Sequence, residues 1–177
     1  MPNWCNNIVT LKHKDPALIK RVQDCVEKGL FNEFVPMPQQ LHDTPHSTAT
    51  PQDVYAKNKA EFGYETWYDW SLDNWGTKWD ACEVDVLEQT DNSIRLAFDT
   101  AWSPPIPFFE AMYEQGFEVE AYYSEPGMCF CGSFEDGIEE TIEYNATSLK
   151  MLKKTCPALF IEMFTLDDWF EEEEEAE

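Results

Sequence analysis

Polar and apolar positions partly alternate from Asn3 to Leu11 (NWCNNIVTL), and the β-branched residues there predict an opening strand. The period then changes. Leu18, Ile19, Val22 and Val26 recur at helical spacing behind Asp15-Pro16, a capping residue followed by a first-turn proline, and Gly29 is placed to end that helix. Leu30 to Pro38 reads as an apolar extended stretch, and Gln39 to Gln52, rich in Pro, Thr and His, as a surface loop. Two helical pieces are expected from Pro51 to Asp73, divided at Gly63. Ala81 to Glu88 and Ile94 to Asp99 alternate as two strands around the turn residues Thr90 to Ser93. Pro107 opens another helix with Phe108, Ala111 and Met112 on its apolar stripe, and Gly116 closes it before a strand at Phe117 to Tyr123. Two further strands, Met128 to Phe134 and Ile138 to Tyr144, follow good hairpin signals, and residues 147–155 suit a short basic helix.

The order strand, helix, strand, strand, helix, strand predicts an α+β fold, a ferredoxin-like split βαβ sandwich on an antiparallel sheet. To it are added a helical insert before the second strand, at about 39–75, and extra C-terminal strands. A single domain over 1–166 with an acidic tail at 167–177 is expected, with no second core evident. In a sheet of strand order 4-1-3-2 the start of the first and second strands and the end of the third and fourth share one edge. Asn3-Trp4, Lys78-Trp79-Asp80, Thr100 to Pro105 and Glu125-Pro-Gly127 should therefore converge.

Charge then narrows the partners. Twelve Lys and Arg against 35 Asp and Glu give a net charge of −23, and −15 remains without the eight acids from Asp167 onward. Such a field repels nucleic acid phosphates and anionic membrane surfaces, which disfavours direct nucleic acid binding. No apolar run approaches the length of a membrane-spanning helix, and no charged-then-apolar leader precedes the first strand. Cys5, Cys25, Cys82, Cys129, Cys131 and Cys156 form neither a C-x-x-C framework nor a regular zinc spacing, so free thiols in a reducing cytoplasm are expected.

Candidate chemistry lies where the segments converge. Trp75, Trp79 and Trp102 offer stacking faces, and Lys78, Asp80, Ser103 and Glu125 stand among them without being needed for packing. Tryptophans more often fill cores than bind ligands, and Lys78 paired with Asp80 or Glu125 would be a structural alternative. As a site, the set suits a small nucleotide-like ligand: rings for a base, Lys78 for a phosphate, Asp80 or Glu125 for hydroxyl or amine donors. The glycine-rich phosphate loop of ordinary nucleotide hydrolases is absent. Ser103 and Cys129 have no identifiable His partner, although Asp80, Asp99 and Glu125 are candidate ligands for a divalent ion. Binding therefore ranks above turnover, with no catalytic residue, resident metal or cofactor assigned.

The same motifs carry a resemblance. Met-Pro-Asn-Trp-Cys-Asn-Asn at 1–7, Trp-Gly-Thr-Lys-Trp-Asp-Ala at 75–81, Phe-Asp-Thr-Ala-Trp-Ser-Pro-Pro at 98–105 and Tyr-Ser-Glu-Pro-Gly-Met-Cys-Phe-Cys-Gly at 123–132 resemble the YubB-type ferredoxin-like domain family of phages, plasmids and bacteria. The resemblance spans residues 1 to about 135. It implies a ferredoxin-like fold, a mobile-element source and a role in the contest with host defences, and it transfers no catalytic residues. Together with the acidity, it sets the leading expectation: a phage or plasmid accessory protein in the host cytoplasm, blocking a basic host protein through an acidic surface. The small-ligand reading is the alternative.

Overall fold

A computed structural model describes residues 3–168 and 170 of the chain. Its first strand, β1 (Trp4–Lys12), buries every second side chain, including Cys5, Val9 and Leu11, as the alternation predicts. Helix α1 (Pro16–Cys25) starts where the Asp15 carboxylate accepts the Ala17 N–H at 2.9 Å, and it buries Ile19, Val22 and Cys25. It ends at Cys25, four residues before Gly29.

The stretch expected to be extended differs. Leu30–Phe34 forms a short helix, α2, burying Leu30, Phe31 and Phe34. Its cause is remote in sequence: the Asp80 carboxylate accepts the Phe31 N–H at 2.8 Å and the Asn32 N–H at 2.9 Å, capping a helix 48 and 49 residues away. The expected loop after it contains one helical turn, α3 (Gln39–His42). The two pieces around Gly63 are α4 (Gln52–Phe62) and α5 (Trp67–Trp75), the latter capped by the Thr66 hydroxyl.

Strands β2 (Cys82–Gln89) and β3 (Ser93–Ala101) form the expected hairpin. Helix α6 (Ile106–Glu114) and strands β4 (Glu118–Glu125), β5 (Phe130–Glu135) and β6 (Ile138–Glu143) follow. The six-stranded sheet has the order β2-β3-β1-β4-β5-β6, antiparallel throughout. Its first four strands have the order of the ferredoxin-like split βαβ sandwich. One face buries Val9, Leu11, Ile94, Leu96, Phe98, Val119 and Ala121 against the helices around Phe31, Trp75 and Phe108.

A second core corrects the expectation of one. Helices α7 (Leu149–Thr155) and α8 (Ala158–Met163), the latter unforeseen in the sequence, pack Leu152, Cys156, Phe160 and Ile161 against Cys131 and Tyr144. Cys131 pairs with Ser124, which pairs with Asn6, so this cluster covers the opposite face from the main core at the β4–β6 side. Strands β2 and β6 are the sheet's free edges. Phe170 packs against the second cluster, and the acidic tail beyond it lies outside the described residues.

Candidate functional site

The register brings the four segments together. Cys82 pairs with Asp99, Asp99 with Asn6, and Asn6 with Ser124, so residues 78–80 before β2, 102–105 after β3 and Glu125 meet at one end of the sheet. The Trp102 N–H donates to the Asn3 carbonyl at 3.0 Å, joining the start of β1 to the end of β3.

The segment 75–81 is fixed locally by its glycine. Gly76 has φ +80° and caps α5, and a Cβ there would lie 2.5 Å from Pro107 Cδ, so both conformation and space require glycine. Thr77, fully buried, donates its hydroxyl to the Ala101 carbonyl at 3.0 Å and accepts the Ala101 N–H at 3.1 Å. The Ser103 hydroxyl donates to the Gly76 carbonyl at 2.7 Å, and the Ser103 carbonyl accepts the Thr100 hydroxyl at 2.7 Å. These bonds hold the two loops edge to edge.

Held in this way, the loops present aromatic faces. Trp79 and Trp102 are 38% and 44% exposed, with ring centroids 6.4 Å apart at an interplanar angle of 27°, and Trp4, 36% exposed, lies 6.4 Å from Trp79. Trp102 has φ +67°, a left-handed conformation that costs a residue with a Cβ about 1–2 kcal/mol. The Lys78 ammonium lies 4.4 Å from the Trp79 ring centroid, 5.3 Å from that of Trp102 and 5.9 Å from that of Tyr68. Among the described residues it makes no ion pair with Asp80, Glu125 or any other carboxylate. The internal pairing weighed from the sequence is therefore not formed.

Beside Lys78 opens a cleft of about 410 Å³, within the range of small-ligand pockets. Its lining draws on α2, α5 and the 78–80 loop: Lys28, Asn32, Met37, His42, Trp67, Trp75, Lys78, Trp79 and Asp80 contribute. Two lysines against one carboxylate, Asp80, on one cleft are a local reversal in a chain with 35 acids and 12 Lys and Arg.

Four of the seven sequence candidates turn inward. Trp75 is 6% exposed, packs against Phe31 and Trp70 and donates its indole N–H to the Val35 carbonyl at 2.9 Å, so it forms the cleft floor and belongs to the core. Asp80 caps α2 and also accepts the Ala81 N–H at 2.8 Å; burial is the dominant influence and raises its pKa despite these donors. Glu125, 1% exposed, accepts the Gly127 and Met128 N–H groups and so caps its own turn. Ser103 is engaged as above. Lys78, Trp79 and Trp102 alone face outward. Lys28, Asn32, Met37, His42, Trp67 and Tyr68 were not among the sequence candidates; the adjacent aromatics Trp67 and Tyr68 could have marked the α5 wall, and no sequence signal marks the rest.

Thiols do not add a nucleophile here. Burial raises the Cys5 thiol far above its ordinary value and the Cys25 thiol to about 11, and all six cysteines are free. Among the described residues no group of three or more His, Cys, Asp or Glu side chains could hold a metal ion. Asp80, Asp99 and Glu125 thus do not assemble the divalent-ion set considered from the sequence. No helix among the described residues is long and apolar enough to cross a membrane.

Residues 74–153 match a family model described as a ferredoxin-like domain in Api92-like protein. A segment of 74 residues is 35% identical to the uncharacterized protein YubB of Escherichia coli (strain K12), covering 40% of this chain and 50% of that protein; the match thus spans about half the length of the curated relative. The crystal structure of a protein api92 from Yersinia pseudotuberculosis aligns with 84% of this chain and 100% of that chain, at 12% identity and a TM-score of 0.46. The chain is similar to YubB- and Api92-type proteins, as its motifs imply, and the ferredoxin-like match at 74–153 covers part of a sheet that β1 completes.

Proposed function

We propose that this ferredoxin-like chain is a phage or plasmid accessory protein that acts by binding, and that its site takes a small, anionic, ring-bearing ligand of nucleotide type. One observation carries the reading: the Lys78 ammonium is held among three aromatic faces, with no ion-pair partner among the described residues, at the rim of a cleft that also holds Lys28. An anionic group about 4 Å from Lys78 gains on the order of 4 kcal/mol at the effective dielectric of a protein surface, and a planar ring on Trp79 or Trp102 adds about 1–3 kcal/mol. The hydroxyl and carboxylates nearby already serve backbone groups, which favours sequestration of the ligand over its turnover.

A library of nucleoside mono-, di- and cyclic phosphates tests this by thermal shift. A ligand present at a hundred times its dissociation constant stabilises by about 2.7 kcal/mol, a rise of roughly 5–10 °C for a chain of this size. Lys78→Met and Trp79→Ala should each remove the shift while leaving the unliganded midpoint within about 2 °C. No response to any member of the library would sink the proposal.

A second reading keeps the acidic surface as the working part, and the strand register supports it. The sheet face opposite the main core carries Asp85, Glu88, Asp99, Glu118, Glu120, Glu135 and Glu140 against Lys12 and Arg95. Such a face would steer a basic host protein, with affinity falling steeply from low to physiological salt. Salt-insensitive activity that is lost with Lys78 would favour the cleft instead.

A further inference from the structure

The second core contains chemistry that the sheet-end site does not use. Cys131, from β5, and Cys156, at the end of α7, are 25 positions apart in sequence, and their sulfurs lie 3.9 Å apart. Both are buried, at 0% and 4% exposure. Two unrelated elements thus set a pair of thiols in contact, as reduced partners must be before they bond. Close by, half-buried Cys129 lines a cavity of about 340 Å³ together with Pro126, Tyr144, Leu152 and Leu166. Tyr144, Leu152 and Leu166 are also members of the cluster that encloses the pair, so the cavity adjoins the packing around the two sulfurs.

We propose that Cys131 and Cys156 are a redox modification site, forming a reversible disulfide with a low-molecular-weight disulfide of the glutathione class as oxidant. One thiolate attacks the small disulfide and releases one reduced small thiol, leaving a mixed disulfide on the protein. The second cysteine, already in contact, attacks the protein sulfur of that bond and expels the other small thiol. The two protein sulfurs lose two electrons, the small disulfide gains them, and both protein protons end on the released thiols. The new bond fastens α7 and α8 to β5 and closes a loop that the unfolded chain would otherwise leave open, so the oxidised form is the more stable.

Burial sets the rate. It pushes the Cys131 thiol up to about 12 and raises that of Cys156, so the reactive thiolate is scarce at neutral pH and exchange accelerates as pH rises. The pair responds to a sustained oxidising shift and ignores a brief one.

The test is equilibration of the full chain with oxidised glutathione at mildly alkaline pH, then alkylation under denaturing conditions and peptide mapping by mass. The expected product has four alkylated cysteines of the six and one bridge joining the peptides of Cys131 and Cys156. Its thermal midpoint should rise by about 5–10 °C and return on addition of dithiothreitol. Cys131→Ser and Cys156→Ser should each abolish the bridge and the rise, and Cys129→Ser should retain both. Recovery of six alkylatable thiols after equilibration, or a bridge between Cys129 and Cys131, overturns the proposal. Either result is read on the unsubstituted protein, so it stands even where a serine variant fails to fold.

Discussion

Replacing Asp80 with alanine would remove a single carboxylate and leave three backbone N–H groups, those of Phe31, Asn32 and Ala81, without their acceptor. A hydrogen bond to a charged group contributes about 1.5–3 kcal/mol. The three do not add in full, because Asn32 lies at the surface where water can replace the lost oxygen. Ionised Asp80 also carries a desolvation cost that the substitution relieves. A net loss of about 2–3 kcal/mol is expected, comparable to the largest measured effects of losing a helix cap. For a chain of 177 residues this lowers the thermal midpoint by roughly 5–10 °C, and it should lower the urea midpoint without changing the slope of the transition. Asp80→Asn keeps one acceptor oxygen and should lose about half as much. The cleft should suffer with the fold, since α2 supplies one wall and is held to the opposite loop by this carboxylate. Were Asp80→Ala to leave the midpoint within about 1 °C, water would be shown to satisfy the helix, and the account of α2 given above would fail.

Gly76→Ala should destabilise by about 2–4 kcal/mol in a denaturant titration, because the new Cβ meets Pro107 at 2.5 Å on a backbone with φ +80°. Thr77→Val keeps the shape but breaks the reciprocal pair of bonds with Ala101; a loss of about 1–3 kcal/mol should appear in the same measurement. Alkaline pH should unfold the protein through two buried phenols. Burial raises Tyr144 to about 12 and Tyr123 further in the same direction, so their contribution is complete below the unfolded value of about 10 and is lost as pH rises through the folded values. The thermal midpoint should therefore fall between pH 10 and 12, and the double change Tyr123→Phe, Tyr144→Phe should flatten that fall.

What was legible in the sequence was what neighbouring residues decide. Asp15-Pro16, Gly63 and the turn at Thr90 to Ser93 act within a few positions, and they place α1, the break between α4 and α5, and the β2–β3 hairpin correctly. Sheet order followed from these elements, and with it the meeting of Lys78, Trp79 and Trp102. Helix α2 was not legible because its cap is donated by Asp80 from across the fold. Nor was the second core, whose Cys131, Tyr144 and Leu152 are scattered through segments that looked self-sufficient. Trp75 and Trp79 illustrate the limit within the site. They flank one tight turn, are chemically identical, and part company only because the left-handed Gly76 sends one into the core and the other to the surface.

The two free edges of the sheet bear on how this molecule behaves in a crowd of its own copies. An unpaired strand is a template on which another chain can add its own, and repeated addition makes a fibre. Strand β6 reads Ile-Glu-Glu-Thr-Ile-Glu and exposes nearly its whole length, while β2 is broken by register shifts at Cys82 to Asp85 and Val86 to Glu88. Two copies meeting along β6 would bring together two sets of three glutamates, Glu139, Glu140 and Glu143, and two meeting along β2 would find no even ladder to extend. The first obstacle dissolves in concentrated salt or acid; the second, being a matter of backbone shape, does not. Among the described residues, pairing along β6 in strong acid is thus the edge contact left least guarded, and because it occupies the β6 edge of both copies while β2 offers no even ladder, it stops at two chains and makes no fibre.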